Sequence, residues 1–191
     1  MTQSKIKVLN IDVLATTQKE LLQSLKKGTL ITPNLDHLVK LQKDKEFYDL
    51  YQKAEWVVCD SKILYLFSKL LKHSILEPIP GSSFFTAYYM YHRDDENCKI
   101  FLLGAAEGVA AKARERINQK VGREIVVGAH SPSYGFENKP EECEELIGIV
   151  NESGANVVLV GVGAPKQEKW IMKYRDRMPG VVCFYGIGSY N

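Results

Sequence analysis

The stretch Val157-Val-Leu-Val-Gly-Val-Gly-Ala-Pro-Lys-Gln-Glu-Lys-Trp170 constrains the fold more than any other part of this chain. Residues 157–160 form a short continuous apolar run, the kind that is buried on both faces of a parallel sheet. Gly161 and Gly163 then let the backbone turn sharply or approach another group closely, and Pro165 suits the first position of a helix. The helix that follows sets Trp170, Ile171, Tyr174 and Met178 on one stripe and turns Lys169, Lys173, Arg175 and Arg177 outward. Gln167 falls on the inward stripe. An uncharged amide there, in the first turn of a helix at the end of a strand, either holds a ligand or, together with Glu168, satisfies free backbone groups at the helix start.

The same alternation of apolar run and helical pattern recurs along most of the chain. Strands are expected at 7–10, 29–32, 56–59, 100–103, 125–127, 157–160 and 181–185. Helices are expected at 17–27, 35–42, 45–54, 61–72, 107–121, 141–151 and from 165. Thr17-Gln-Lys-Glu20 is a capping-box signature for the first of these helices. Strands that alternate with helices in this way predict an α/β, Rossmann-like fold, a mainly parallel sheet with helices on both faces. At 191 residues, one domain is expected. Two segments stand out. The helix from Ser61 is apolar almost all round, through Ile63, Leu64, Leu66, Phe67, Leu70 and Leu71, which predicts burial between layers or at a contact between copies in a homo-oligomer. Phe84, Phe85, Tyr88, Tyr89 and Tyr91 cluster after the chain break at 77–82, and core packing or a dimer seam is their default explanation, ahead of a membrane-facing surface.

Composition narrows the function. A net charge of +2, with the basic residues dispersed, gives no footprint for nucleic acid. Cys59, Cys98, Cys143 and Cys183 have neither metal-ligand spacing nor the density of a disulfide framework, and they read as small core residues in a reducing compartment. The N-terminus lacks the apolar region of a signal peptide, and no segment approaches the ~20 apolar residues of a membrane span. A cytoplasmic location follows as an expectation, which leaves docking on a membrane surface open.

Four unusual sequences follow expected strands: Thr32-Pro-Asn34 with His37, Asp60-Ser61, Gly104-Ala-Ala-Glu-Gly108, and 161–167. In a parallel sheet all four line the carboxyl edge, where open α/β sheets bind ligands. Each has two readings. Asn34 either caps the helix from Leu35 or lines a pocket. His37 has no accompanying ligand set and reads as a structural hydrogen-bonding residue. Asp60 is either an N-cap or a carboxylate that accepts a proton from a substrate hydroxyl. The Gly104 loop either cradles phosphate or packs a helix start against a strand, and it lacks both Gly-x-Gly-x-x-Gly and a Walker lysine. A nicotinamide-dependent oxidoreductase is disfavoured for that reason.

Thr32-Pro-Asn-Leu-Asp-His-Leu-Val-Lys-Leu-Gln-Lys-Asp44, the Asp60 that follows Val-Val-Cys, Phe101-Leu-Leu-Gly104 and above all Gly161-Val-Gly-Ala-Pro-Lys-Gln-Glu-Lys-Trp170 resemble the WecG/TagA/CpsF glycosyltransferases. The similarity runs in order from about residue 8 to residue 188, and the last motif is highly specific. The resemblance implies a bacterial, inverting enzyme at the inner face of the cell membrane, with no cofactor and no metal requirement. It would transfer a sugar from a UDP-sugar donor to a polyprenyl-diphosphate-linked acceptor in teichoic acid, enterobacterial common antigen, capsule or exopolysaccharide synthesis. The absence of an Asp-x-Asp motif agrees with the lack of a metal requirement. By the same resemblance Asp60 would be the general base, and Thr32, Asn34 and Gln167 would line the sugar and acceptor pocket. Backbone groups at Gly104, Gly161 and Gly163 make a plausible nucleotide cradle.

Three departures from the family pattern are legible. Pro78-Ile-Pro-Gly-Ser-Ser-Phe84 stands where the family has Arg-Val-x-Gly-x-Asp-Leu, so Pro78 replaces an arginine and Ser83 an aspartate. His130-Ser-Pro-Ser-Tyr-Gly-Phe136 alters a His-x-Gly-Tyr-Phe loop. Residues 185–191 stop where relatives continue into a basic, membrane-meeting appendage. The expectation is therefore a core domain without that appendage, and the alternative to a transferase is a non-catalytic member that binds a nucleotide-sugar or a partner.

Overall fold

The computed structural model describes residues 4–70 and 74–187. The chain opens with an antiparallel hairpin of β1 (Lys5–Val8) and β2 (Ile11–Leu14), turned at Leu9, which has a positive φ of 54°. The single strand expected at 7–10 is not formed; those residues span the end of β1 and the turn. Next come α1 (Gln18–Ser24), β3 (Gly28–Ile31), α2 (Leu35–Leu41), α3 (Lys45–Lys53), β4 (Trp56–Val57), α4 (Lys62–Ser68) and α5 (Gly81–Tyr91). The second half alternates β5 (Ile100–Gly104), α6 (Val109–Val121), β6 (Val126–His130), α7 (Pro140–Ser153), β7 (Val157–Gly161), α8 (Lys166–Tyr174) and β8 (Cys183–Gly186). The capping box forms as expected: Glu20 N–H donates to Thr17 Oγ1 at 3.2 Å and Thr17 N–H to Glu20 Oε2 at 2.9 Å.

Six strands make one all-parallel sheet in the order β4-β3-β8-β7-β5-β6. Successive side chains of a strand point to opposite faces, and here that alternation assigns the helices. Leu30, Ile100, Leu102, Val157, Leu159, Cys183 and Tyr185 pack with Leu21 of α1, Phe84 and Tyr88 of α5 and Ile117 of α6. Their neighbours Phe101, Leu103, Val158, Val160 and Phe184 pack on the other face with Leu146 and Val150 of α7 and Trp170, Ile171 and Tyr174 of α8. Towards the β4 edge, Ile31 and Val57 meet Leu38 of α2, Phe47 and Tyr51 of α3, and Ile6 and Val13 of the hairpin. The result is the expected Rossmann-like architecture. All four cysteines are buried and unbridged within it.

Two readings are narrowed by the structure. The aromatic segment splits: Phe84, Tyr88 and Tyr89 enter the core, whereas Tyr91 is exposed. The helix from Ser61 is seven residues long and is not enclosed. It turns Leu64, Tyr65 and Ser68 inward and leaves Ile63, Leu66 and Phe67 between 52% and 64% exposed. It lies outside the sheet layers, so one face has nothing over it among the described residues. The expected extension to residue 72 reaches beyond the described residues.

β5 and β7 are neighbours, yet β5 continues into α6 on one face and β7 into α8 on the other. Their ends therefore part at the carboxyl edge and leave a crevice, the usual ligand position in such sheets.

Candidate functional site

The chain leaves β4 through Val58 and Cys59 and reaches Asp60, whose N–H donates to Pro33 O at 3.0 Å. The returning segment before α5 runs alongside, with Ile79 N–H donating to Cys59 O at 2.7 Å. Gly81, the first residue of α5, then donates its N–H to Asp60 Oδ2 at 3.2 Å. Burial pushes Asp60 up to about 6, and the Gly81 N–H only partly offsets this by favouring the ionised form. A half-buried carboxyl that ionises close to neutrality has the properties of a general base.

Thr32 adjoins this carboxylate through Gly81. A Cβ on Gly81 would lie 2.9 Å from Thr32 Oγ1 and 3.3 Å from Ile187 Cγ2, so only glycine lets α5 begin against Thr32. Thr32 is 1% exposed, and its Oγ1 has no hydrogen-bond partner among the described residues. The Tyr185 hydroxyl donates to Gly81 O from beneath.

Ile187 links that corner to the glycines, since it also lies 3.4 Å from where a Cβ of Gly161 would stand. Gly104 and Gly161 are paired across β5 and β7. Gly104 has φ +132°, and a Cβ there would be 2.5 Å from Gly161 O, so both the conformation and the spacing demand glycine. A cleft of about 560 Å³ opens beside them, floored by Leu102 and Leu159 and walled by Phe85 and Tyr89 of α5 and Val109 and Ala113 of α6. A smaller chamber of about 230 Å³ meets it at Ala105 and Gly161 and is bounded by Tyr134 and Lys166. Lys166 Nζ sits 3.3 Å from Glu137 Oε1 and 5.0 Å above the Tyr134 ring. Among the described residues, no Lys or Arg lines the larger cleft.

Gln167 is fully buried, as its place on the inward stripe predicts. Its Oε1 accepts from Gly163 N–H at 3.2 Å, and its Nε2 donates to Glu168 Oε1 at 2.8 Å. It rests against the end of β8, for a Cβ on Gly186 would be 3.2 Å from Nε2. Pro165 stands at the N-cap, one residue before the helix, in a cis peptide with Ala164. Asn34 is the N-cap of α2, where its Oδ1 accepts from His37 N–H at 3.1 Å. His37 is structural: it is 2% exposed, and its Nδ1 lies 2.7 Å from the Tyr51 hydroxyl.

Direct contacts thus join Thr32 and Asp60 through Gly81, Gly104 to Gly161, and Gln167 to Gly163, all along one sheet edge. Asn34 shares that edge but turns its side-chain oxygen to its own helix. Sequence reasoning gave too little to Glu168, which is 0% exposed. A signal was present, because Glu168 precedes Ile171 by three and Met172 by four and so shares an inward face of α8. Gly81 and Ile187 carried no such signal, since their importance arises from close approach of distant segments.

Among the described residues no group of three or more His, Cys, Asp or Glu side chains is placed to hold a metal ion, and no helix is long and apolar enough to cross a membrane. A profile of the glycosyl transferase WecG/TagA/CpsF family matches residues 3–190. The match takes in both parted strand ends, the Asp60 corner and the α8 motif in one continuous span, so the chain belongs to the WecG/TagA/CpsF family of glycosyltransferases.

Proposed function

We propose that the protein transfers a sugar, with inversion, from a UDP-sugar to a polyprenyl-diphosphate-linked saccharide during synthesis of a bacterial cell-surface polysaccharide. The observation that carries this reading is the half-buried Asp60 carboxyl at the sheet edge, beside Thr32 and Gly81, with Ser82 and Ile187 leading from that corner to a cleft of about 560 Å³ that ends on Gly104 and Gly161. In the proposed step the acceptor hydroxyl gives its proton to Asp60 as its oxygen bonds to the anomeric carbon. The bond from that carbon to the β-phosphate oxygen breaks on the opposite face, and UDP leaves with the electron pair. Asn34 faces the sugar and acceptor side, Thr32 lies directly beneath it, and the buried Gln167 supports the site from behind by holding Gly163. Gly104, Gly161 and Gly163 form the nucleotide side, and Lys166 supplies positive charge towards the diphosphate. The acceptor's lipid puts the working enzyme at the inner membrane face as a peripheral protein. The exposed face of α4 is open to a second copy of the chain.

Calorimetric titration with UDP and a panel of UDP-sugars, in the presence of a chelator, tests the reading. Saturable binding that survives chelation, with one sugar preferred, is the expected result. A folded protein that binds no uridine nucleotide would overturn it. A second reading, binding without transfer, draws on the apolar lining of the larger cleft, which holds no Lys or Arg among the described residues. It predicts the same titration with no product formed.

A further inference from the structure

α8 buries two polar side chains in succession, and only Gln167 has an evident use in the proposed site. Glu168 is 0% exposed, and its Oε2 has no hydrogen-bond partner among the described residues. A carboxyl so placed is costly to the fold, and packing does not require it, since a leucine or methionine would fill the same space. Its Oε1 accepts from Gln167 Nε2 at 2.8 Å. The amide is held at both ends, because Gly163 N–H can only donate and therefore demands Oε1, while Glu168 takes Nε2. If the amide were flipped, Nε2 would face the Gly163 N–H, donor against donor.

We infer that Glu168 is a positioning residue: its carboxylate fixes the orientation of the Gln167 amide and, through Gly163, the turn that closes the nucleotide side of the cleft. A charged acceptor holds an amide N–H roughly twice as strongly as a neutral one. The grip is therefore firm when Glu168 is ionised and slack when it is protonated. Burial pushes Glu168 up to about 7, against the opposing pull of the Gln167 N–H and of Lys40, so the change falls near neutrality. The groups that face it are Lys40 of α2, itself 2.6 Å from Asp36, and Tyr51 of α3, which holds His37. Burial keeps His37 down at about 4 and Tyr51 well above its ordinary range, so neither changes charge in the same window.

One arm of the test needs no activity. In two-dimensional 1H–15N spectra of the whole chain, the Gln167 side-chain amide pair, assigned by its disappearance in Gln167→Ala, should shift with a midpoint near pH 7 in the unaltered protein. In Glu168→Gln it should not titrate between about pH 5.5 and 8.5. A Gln167 pair that is insensitive to pH in the unaltered protein, or that titrates equally in Glu168→Gln, overturns the inference. The kinetic arm rests on the transferase reading. There Glu168→Gln is expected to lower kcat about tenfold, leave the UDP dissociation constant within about twofold, and abolish a pH dependence near 7 while keeping that of Asp60. A normal kcat with the inflection near 7 retained would also overturn the inference. An unaltered protein that binds no UDP defeats the proposed function alone, because the spectra still judge Glu168.

Discussion

Gly81 donates its backbone N–H to Asp60 Oδ2 over 3.2 Å, so the carboxyl at the end of β4 faces the first turn of α5. That turn brings a helix N-terminus and a hydrogen bond to a group that burial drives the other way, and burial prevails. The carboxyl is thus held in place by a contact that does not lower it to the ordinary carboxylate range.

Asp60→Asn keeps the shape and an acceptor for Gly81 but removes the proton acceptor. Turnover should fall about 10²- to 10⁴-fold, the usual worth of a positioned general base, while UDP affinity changes less than about twofold. Parallel steady-state kinetics and calorimetry check this. Equal losses in both would make Asp60 a binding group instead.

The same carboxyl should leave a mark on stability. Its folded value of about 6 lies above the ordinary 3.8, so the folded chain binds the proton more tightly than the unfolded chain. Stability from this group therefore falls as pH rises between those two values and stays reduced above them. Asp60 is partly open to solvent, which discounts the effect to about 1 kcal/mol. Asp60→Asn should raise Tm by roughly 2–4 °C at about pH 8 and progressively less towards about pH 4, as thermal melts across pH would read.

Activity should fall as pH drops through about 6, because a protonated Asp60 cannot accept the acceptor's proton. A profile of kcat/KM against pH checks this. A limb in that position that persisted unchanged in the residual activity of Asp60→Asn would assign it to another group.

Gly104→Ala meets two obstacles, a φ of +132° and a Gly161 carbonyl oxygen 2.5 Å from the new methyl carbon. Strain of this kind costs roughly 1–3 kcal/mol. Tm should drop by several degrees and UDP affinity should fall with it, because β5 and β7 must part where the cleft begins. Circular dichroism melts and calorimetry on one preparation read both.

Asn34 can be separated into its two roles. Asn34→Ala loses the α2 cap and should cost about 1 kcal/mol in thermal melts. Asn34→Asp keeps an oxygen for His37 N–H and should preserve stability, yet it removes the amide and should raise a substrate KM severalfold. Unchanged kinetics in the aspartate variant would reduce Asn34 to a cap.

Periodicity and turn chemistry sufficed for most of the architecture. The apolar runs at 100–103 and 157–160 are continuous because both faces of those strands are covered, and that can be read without coordinates. The inward stripe of α8 and the capping box of α1 were equally legible, because neighbours three or four apart on a helix share a face. The stretches at 32–44 and 101–104, Asp60 and above all the motif at 161–170 together carried the resemblance to the family that the profile match bears out. The N-terminal hairpin was not legible, because strands of four residues turned at Leu9 give too few alternations to separate from a single run.

The sequence by itself determined which residues are candidates for chemistry and on which sheet edge they lie, since both follow from local period and from the order of elements. Tertiary structure alone decided their state. Asp60 is raised towards neutrality by the packing of 33 and 79–81 around it, segments that no local pattern ties to it. Gly81 is required by Thr32 and Ile187, and Gly104 by Gly161, across separations that a linear reading does not span. Glu168 looked like one more charge at a helix start. Only the arrival of β8, α2 and α3 over that turn makes it a buried carboxylate with one amide to hold, because desolvation is a property of what surrounds a residue and not of the residue itself.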